Sequence, residues 1–421
     1  MEQEARVSPY PIPELAEYLR PFREHFYRCE SLHTLERFAT GLLSDVQRKS
    51  GAGVARAVAD LSEGAVYRLM AETEWGEVAF NRQRVGTMLA GWVAGEGVLV
   101  VDEGSYPRKG DKCVGVARQY CGELGKVDNC QVFVTTHYMD PYFAWPVNGR
   151  LYLPEGWADD AQRRVEAQIP EGVVFQTKPE IALDLVDEAR EMGVPFAGVV
   201  ADGVYGGNPA FLDGLETRGL WCGVAVPCDF GVRLAEEMAA GDAPLHRADA
   251  VVIAQLACAW KTITWREGSE GPLSKQFVVL RVHRAVGEWT GQEGWLVGER
   301  AVPGEKVCED EEKKLKYYWS DLPTDTPEAR LVEVLHRRPG IERGYQDGKG
   351  ESGQGDYPAQ LWHSFHRHLV IEMLILTWLI RQRPRPQSPV IQTTPEPVED
   401  PRTPVFPLWP GTVSERAGDT A

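Results

Sequence analysis

Three acidic residues, Asp102, Asp202 and Glu342, have the type and setting for metal-assisted phosphoryl chemistry. Asp102 follows four aliphatic residues in "VLVVDEGSYPRKG" (98–110), after which the chain is expected to turn through Gly104, Pro107 and Gly110, and Asp202 closes a second such run in "PFAGVVADGVYGG" (195–207). Glu342 lies in "RRPGIERGYQDGK" (337–349). If they converge, the three carboxylates form an oxygen-only site suited to Mg²⁺ or Mn²⁺, hard ions that prefer carboxylate and water. Two such ions about 3.5–4 Å apart can activate a water or a 3′-hydroxyl and stabilise the leaving oxygen of a phosphodiester. Acids that follow strands are also common turn and cap residues. Residue type alone therefore leaves Asp102 open between a turn residue and a metal ligand.

Other constellations are weaker. His363, His366 and His368 in "WHSFHRH" (362–368) fall on two helical turns, where imidazoles can share a zinc ion. No cysteine or acid with matching spacing accompanies them, so packing or phosphate contact is the default. "VGVARQYCGELGKVDN" (114–129) is glycine-rich but lacks GxxxxGK[ST], which excludes a phosphate loop. It reads as a turn and hairpin near Asp102, with Arg118 and Gln119 toward the substrate. Trp75, Trp92 and Trp145 read as core anchors.

Rigid elements must position the acids. "GVLVVD" and "PFAGVVAD" are continuous apolar runs, as expected of central strands. Between them "CQVFVTTHY" (130–138) alternates, and "YFAWPVNGRLYLP" (142–154) carries an Asn148-Gly149 turn between two β-prone arms. "TKPEIALDLVDEAREMG" predicts a helix with Ile181, Leu185, Val186, Ala189 and Met192 on one face. A helix near 209–218 and the strand "GLWCGVAVP" follow. Two strands of a mixed α/β sheet thus release an acid at their C-terminal ends, the edge where ligands gather in open α/β sheets.

Residues 1–93 read as a helical domain, "LHTLERFATGLLSDVQRK" (32–49) placing Leu35, Phe38, Leu42, Leu43 and Val46 at helical spacing. Residues 94–240 form the first part of the α/β core, and 241–325 a β-rich insertion that includes "DAVVIAQLA", "KTITWRE", "QFVVLRVHRA" and "GWLVGER". Residues 326–383 return to helix, ending in the amphipathic "LWHSFHRHLVIEMLILTWLIRQR" (361–383). The stretch from 384 to 421 holds nine of the 29 prolines and is expected to be a disordered tail.

A chain of 421 residues with 43% hydrophobic residues can bury a large core. No run of 18 apolar residues and no basic, then apolar, N-terminus is present, so neither a membrane span nor a signal peptide is expected. Eight cysteines without a CxxC pair suit free thiols in a reducing cytoplasm. The formal charge of −17 argues against a nucleic-acid partner when taken alone, although a local basic face can sit on an acidic protein.

"VDEGSYPRKGDKCVGVARQYCGELGKVDNCQV" (101–132) resembles the core of bacterial insertion-sequence DDE transposases, the group called DDE superfamily endonucleases. The likeness continues through "NGRLYLPEGWADDAQRR", "FQTKPEIAL" and "VVADGVYGGNPAFLDGLETRGL", then "KYYWSDLP", "IERGYQDGKGESG" and "WHSFHRH", spanning roughly 10–380. This resemblance implies a ribonuclease-H-like core in which Asp102 and Asp202 are metal-binding. A related group carries Tyr-x2-Arg-x3-Glu-x6-Lys; Arg338, Glu342 and Lys349 keep those spacings, with Leu335 at the tyrosine position. The resemblance therefore implies Glu342 as third acid, with Glu351 as the alternative. It implies two Mg²⁺ or Mn²⁺ ions, and Arg338, Arg343, Lys349, Arg118, His366 and His368 as DNA contacts. Double-stranded DNA (terminal inverted repeats and target) would be the substrate, a homodimer the form in the DNA complex, and the bacterial nucleoid the setting. One departure is "DYPAQLW" (356–362), where Pro358 and Gln360 replace a charged pair. Two alternatives are a domesticated, inactive DNA-binding relative and another metal-dependent nuclease on the same fold.

Overall fold

The computed structural model describes residues 7–95, 97–241, 243–268, 271–302, 315–338 and 355–383. Among them, twelve strands join one mixed sheet with helices packed on it. The strands are β1 (Gly97–Pro107), β2 (Ala117–Cys121), β3 (Lys126–Met139), β4 (Ala144–Leu151), β5 (Phe196–Ala201) and β6 (Trp221–Val226). They continue with β7 (Gly231–Leu234), β8 (His246–Arg247), β9 (Lys261–Gly268), β10 (Gly271–Val286), β11 (Trp289–Arg300) and β12 (Lys316–Ser320). Their order is β2-β3-β1-β5-β6-β12-β11-β10-β7-β8, with β4 on the far side of β3 and β9 on β10. The β1–β3 and β3–β4 pairs are antiparallel, whereas β5 runs parallel to β1 and β6 parallel to β5.

Strand β1 is covered on both faces, which is why it reads as an unbroken apolar run. Leu99 and Val101 enter the core formed with helices Lys178–Glu191 and Pro209–Thr217. Val98 and Val100 point the other way, into a core with helix Glu328–Leu335. Helix Lys178–Glu191 forms as its sequence predicts. Thr177 and Glu180 make a reciprocal capping box, and Ile181, Leu185, Val186 and Ala189 are buried.

Several expectations are corrected. Strand β1 does not turn at Gly104 but runs on to Pro107. Gly104 serves close approach instead, because a Cβ there would lie 2.0 Å from Cζ of Phe133. Asn148-Gly149 is no hairpin either, since both residues sit inside β4. The Asn148 amide is buried, donating to the Leu185 carbonyl at 3.0 Å, and Gly149 leaves room for Leu369, 3.0 Å from its would-be Cβ. Strand β3 is buried from Cys130 to Met139 on both faces rather than alternating. "DAVVIAQLA" contains a helix, Ala248–Ile253, which buries Ala248, Val251 and Val252 at helical spacing. The helix expected over 32–49 spans Cys29–Leu42, and the Ser44 hydroxyl donates to the Thr40 carbonyl at its end. The β-rich strands β9–β12 extend the main sheet through the β6–β12 pairing.

The first helices, among them Cys29–Leu42 and Glu77–Leu89, share a core with Val370, Ile371, Leu374, Ile375 and Trp378 of the long helix Trp362–Gln382. Another stripe of that helix, Phe365, Leu369 and Met373, packs on Phe133 and Tyr106. Buried arginines fasten the junction. Arg84, 0% exposed, donates to the carbonyls of Pro146 (2.8 Å) and Val147 (2.6 Å) and to the Thr377 hydroxyl (2.9 Å). Arg367 of the long helix donates to the carbonyls of Met70 and Trp75, both at 2.9 Å. Among the described residues no helix is long and apolar enough to cross a membrane. The seven described cysteines are free thiols; Cys308 and the proline-rich stretch from 384 lie outside the described residues.

Two stability predictions follow from these buried polar groups. Arg84→Ala removes the charged donor to the Pro146 and Val147 carbonyls and the Thr377 hydroxyl, hydrogen bonds worth about 1.5–3 kcal/mol each, while the Val147 carbonyl keeps the Asn81 amide at 3.0 Å. Urea denaturation should therefore show a loss of about 3 kcal/mol or more; a loss below about 1 kcal/mol would rule out Arg84 as a fastener. Glu372, 1% exposed, accepts from the Tyr106 hydroxyl at 3.0 Å, and burial pushes its carboxyl up to about 8. His368, 3.2 Å away, is held neutral because burial lowers it to about 3. A raised carboxyl contributes stability below its unfolded pKa and loses it as pH rises through the folded value. Wild type should thus lose stability between pH 5 and 8 more steeply than Glu372→Gln; parallel pH profiles would refute a protonated Glu372.

Candidate functional site

The register of two neighbouring strands brings the first two acids together. In the parallel β1–β5 pair, Val100 lies opposite Val200. Two residues on, Asp102 and Asp202 stand at the same level, Asp102 still within β1 and Asp202 just past the end of β5. Strand alternation then decides what each neighbour of Asp102 meets. Asp102 shares the face of Val98 and Val100, toward helix Glu328–Leu335 and the turn after it. Glu103 shares the face of Leu99 and Val101, toward the helix that opens with Lys178.

Each acid meets a cation. Nη2 of Arg338 lies 3.1 Å from Oδ1 of Asp102 and 3.6 Å from Oδ2 of Asp202, so one guanidinium spans both carboxylates. Oδ1 of Asp102 also accepts from the Glu103 amide at 2.9 Å. Oδ1 of Asp202 caps helix Gly203–Gly206 by accepting from the Val204 amide at 3.0 Å, which leaves Oδ2 for the site. Asp102 is 7% exposed, and desolvation raises its carboxyl above the ordinary aspartate value against the opposing pull of Arg338. Asp202 adds to that rise. On the opposite face, Nζ of Lys178 pairs with Oε2 of Glu103 at 2.5 Å. Burial raises Glu103 as well, with both aspartates contributing.

This donor set fits a hard divalent cation. Two rigidly mounted carboxylates face one position, and a positive group already lies between them. Among the described residues no group of three or more His, Cys, Asp or Glu could hold a metal ion. Glu342 and its alternative Glu351, with Arg343 and Lys349, lie outside the described residues.

The other expected contacts are placed elsewhere. Arg118 is exposed on β2 opposite Asn129, six residues along β3 from the Thr135 that faces Asp102. At about 3.4 Å per residue this is about 20 Å from the acids. His366 and His368 are corrected as DNA contacts, because both are buried. Nδ1 of His366 hydrogen-bonds the Trp362 carbonyl and its Nε2 accepts from the Leu151 amide, whereas His368 stacks on Tyr357. His363 is engaged with the Ala71 carbonyl at 2.9 Å, and the three histidines form no zinc site.

Sequence reasoning missed the Glu103–Lys178 pair. The signal was available: a lysine in the first turn of a helix opposes the positive end of the macrodipole, so a carboxylate partner was to be expected.

The family described as DDE superfamily endonuclease matches residues 21–272. A protein of Microchaete diplosiphon named "Probable transposase for insertion sequence element IS701" is 28% identical over 190 residues, covering 45% of this chain. The chain spans about half the length of that relative, 47%.

The electrostatics of Asp102 carry a prediction. Its raised carboxyl means that the ionised form opposes folding. That penalty is absent below the unfolded pKa and complete above the folded one. Asp102→Asn should therefore raise Tm at neutral pH, and the gain should shrink toward pH 4. A lower Tm at pH 7 would show that the bond to Arg338 outweighs desolvation.

Proposed function

The chain belongs to the DDE superfamily endonucleases, and from that membership we propose that it is an insertion-sequence transposase. It would cut the ends of its element and join the freed 3′-hydroxyl to target DNA in the same site. The observation that carries this reading is the level placement of Asp102 and Asp202 on parallel neighbours, both facing one cation. The order β4-β3-β1-β5-β6, three antiparallel strands followed by two parallel to the first, supports a ribonuclease-H-like core. The β-rich stretch would be an insertion into it.

Asp102, Asp202 and Glu342 would hold two Mg²⁺ or Mn²⁺ ions through carboxylate oxygens. When bound, such ions supply charge neutralisation and activate the attacking oxygen. The chain's own groups divide the remaining work. Asp102 is held by a central strand, and Asp202 is oriented by the Val204 amide, so little reorganisation is needed. Arg338, whose planar guanidinium suits bidentate phosphate contact, would move to the scissile region's phosphates when DNA enters. Arg343, Lys349 and Arg118 would bind flanking phosphates, Arg118 about 20 Å, or roughly six base pairs, from the acids. The helical residues 1–93 would bind the inverted repeats, and the need to join two ends supports a homodimer on DNA at the nucleoid.

Cleavage of labelled DNA carrying the gene's flanking ends, in Mg²⁺ and Mn²⁺, tests this reading. Wild type should cut at the element boundary, and Asp102→Ala and Glu342→Ala should each lower the rate at least about a thousandfold. Cutting that survives Glu342→Ala but not Glu351→Ala would move the third acid. Specific binding without cutting would favour the domesticated DNA-binding alternative.

A further inference from the structure

Arg338 lies only three residues beyond helix Glu328–Leu335, yet its guanidinium reaches the two aspartates. In the turn between them lies His336, and the groups that surround its ring come mostly from the β-rich strands. The indole of Trp265 on β9 packs against its ring at 4.1 Å, tilted by 33°. Phe277 on β10 packs edge-on at 5.4 Å, and Tyr318 on β12 lies at 5.9 Å. Glu299 on β11 pairs through Oε2 with Nε2 of His336 at 3.0 Å. The Tyr318 hydroxyl donates to the same carboxylate oxygen at 2.8 Å. The other ring nitrogen, Nδ1, hydrogen-bonds the Val332 carbonyl at 2.9 Å. Glu299 is 4% exposed, a costly place for a carboxylate unless it is paired. Four successive strands thus contribute one wall each to a box around a single imidazole.

We propose that His336, boxed by Trp265, Phe277, Tyr318 and Glu299, is a positioning residue through which the β-rich strands hold Arg338 between Asp102 and Asp202. The inference rests on the reading of those aspartates as the metal site. Held there, the guanidinium satisfies both acids before a divalent cation arrives and competes with that cation for the same oxygens. The β-rich strands thereby set how readily the site takes up metal.

The test uses the full-length, DNA-free protein and two readouts. The first is the Arg338 side-chain ¹⁵N–¹H signal, identified by its loss in Arg338→Ala, with the distant buried Arg84 signal as internal control. Glu299→Gln, close to isosteric, and Trp265→Leu, which keeps the Glu299 contact but removes the indole wall, should each broaden the Arg338 signal and leave Arg84 sharp. The second readout is Mn²⁺ affinity by titration calorimetry. Arg338→Ala should tighten Mn²⁺ at least tenfold, and Glu299→Gln about threefold. In the Arg338→Ala background Glu299→Gln should add nothing, because its effect passes through Arg338. A general loosening of the fold would instead act equally in both backgrounds. An unchanged Arg338 signal in both variants, or equal Mn²⁺ shifts with and without Arg338, overturns the proposal. If no form binds Mn²⁺ while the Arg338 signal broadens as expected, the metal reading of the aspartates fails and the positioning role stands.

Discussion

Parallel pairing of β1 with β5 is the constraint on which the site depends. After an irregularity between Gly97 and Val98, residues Val98–Val100 pair in register with Gly198–Val200, and a slip by one residue would turn every side chain to the other face. That register is what levels Asp102 with Asp202. The apolar runs before both acids are therefore the ruler that sets the distance between them, as well as the core. The same strand carries Tyr106 and Pro107 beyond the acid, so Asp102 is held from both sides rather than at a frayed end.

Alternation along β1 also accounts for the charge balance near the acids. Asp102 and Glu103 point to opposite faces, and each face supplies one cation, Arg338 or Lys178. With Asp202 included, three carboxylates meet two cations, so the described site is far closer to neutral than a chain of net charge −17 implies. Local potential, not net charge, decides whether a phosphodiester can approach. The acidity of the whole chain thus weighs little against a DNA substrate at this point.

Much of this was legible in the sequence. The apolar runs announced β1 and β5, and the spacing of Ile181, Leu185, Val186 and Ala189 announced the helix between β4 and β5. What escaped were features set by partners distant in the chain. Gly104 and the Asn148-Gly149 pair carry turn chemistry locally, but the Phe133 ring and the helix around Leu369 impose a strand on them. His366 and His368 look like polar face residues until the long helix is seen to be buried along most of its length. Arg338 was implied by the likeness to the family's signature, whereas its bridge to Asp102 needed the fold of residues more than 200 positions apart.

Pairing of β12 with β6 has a consequence for how the β-rich strands act. Tyr317–Ser320 lie against Gly223–Val226, the strand next to β5 in the sheet. The strands of residues 261–320 therefore share hydrogen bonds with the part of the sheet that carries Asp202, instead of hanging from it by loops. A displacement of β11 or β12 must bend β6 as well, and a packed sheet resists that. Helix Glu328–Leu335 lies against β6 and the box around His336 at once, with Gly223 placing its backbone beside Leu335 and Val334. Both ends of the arginine bridge are consequently referred to one rigid sheet. This is the geometry a site requires when two acids from different strands must hold fixed positions before any substrate is present.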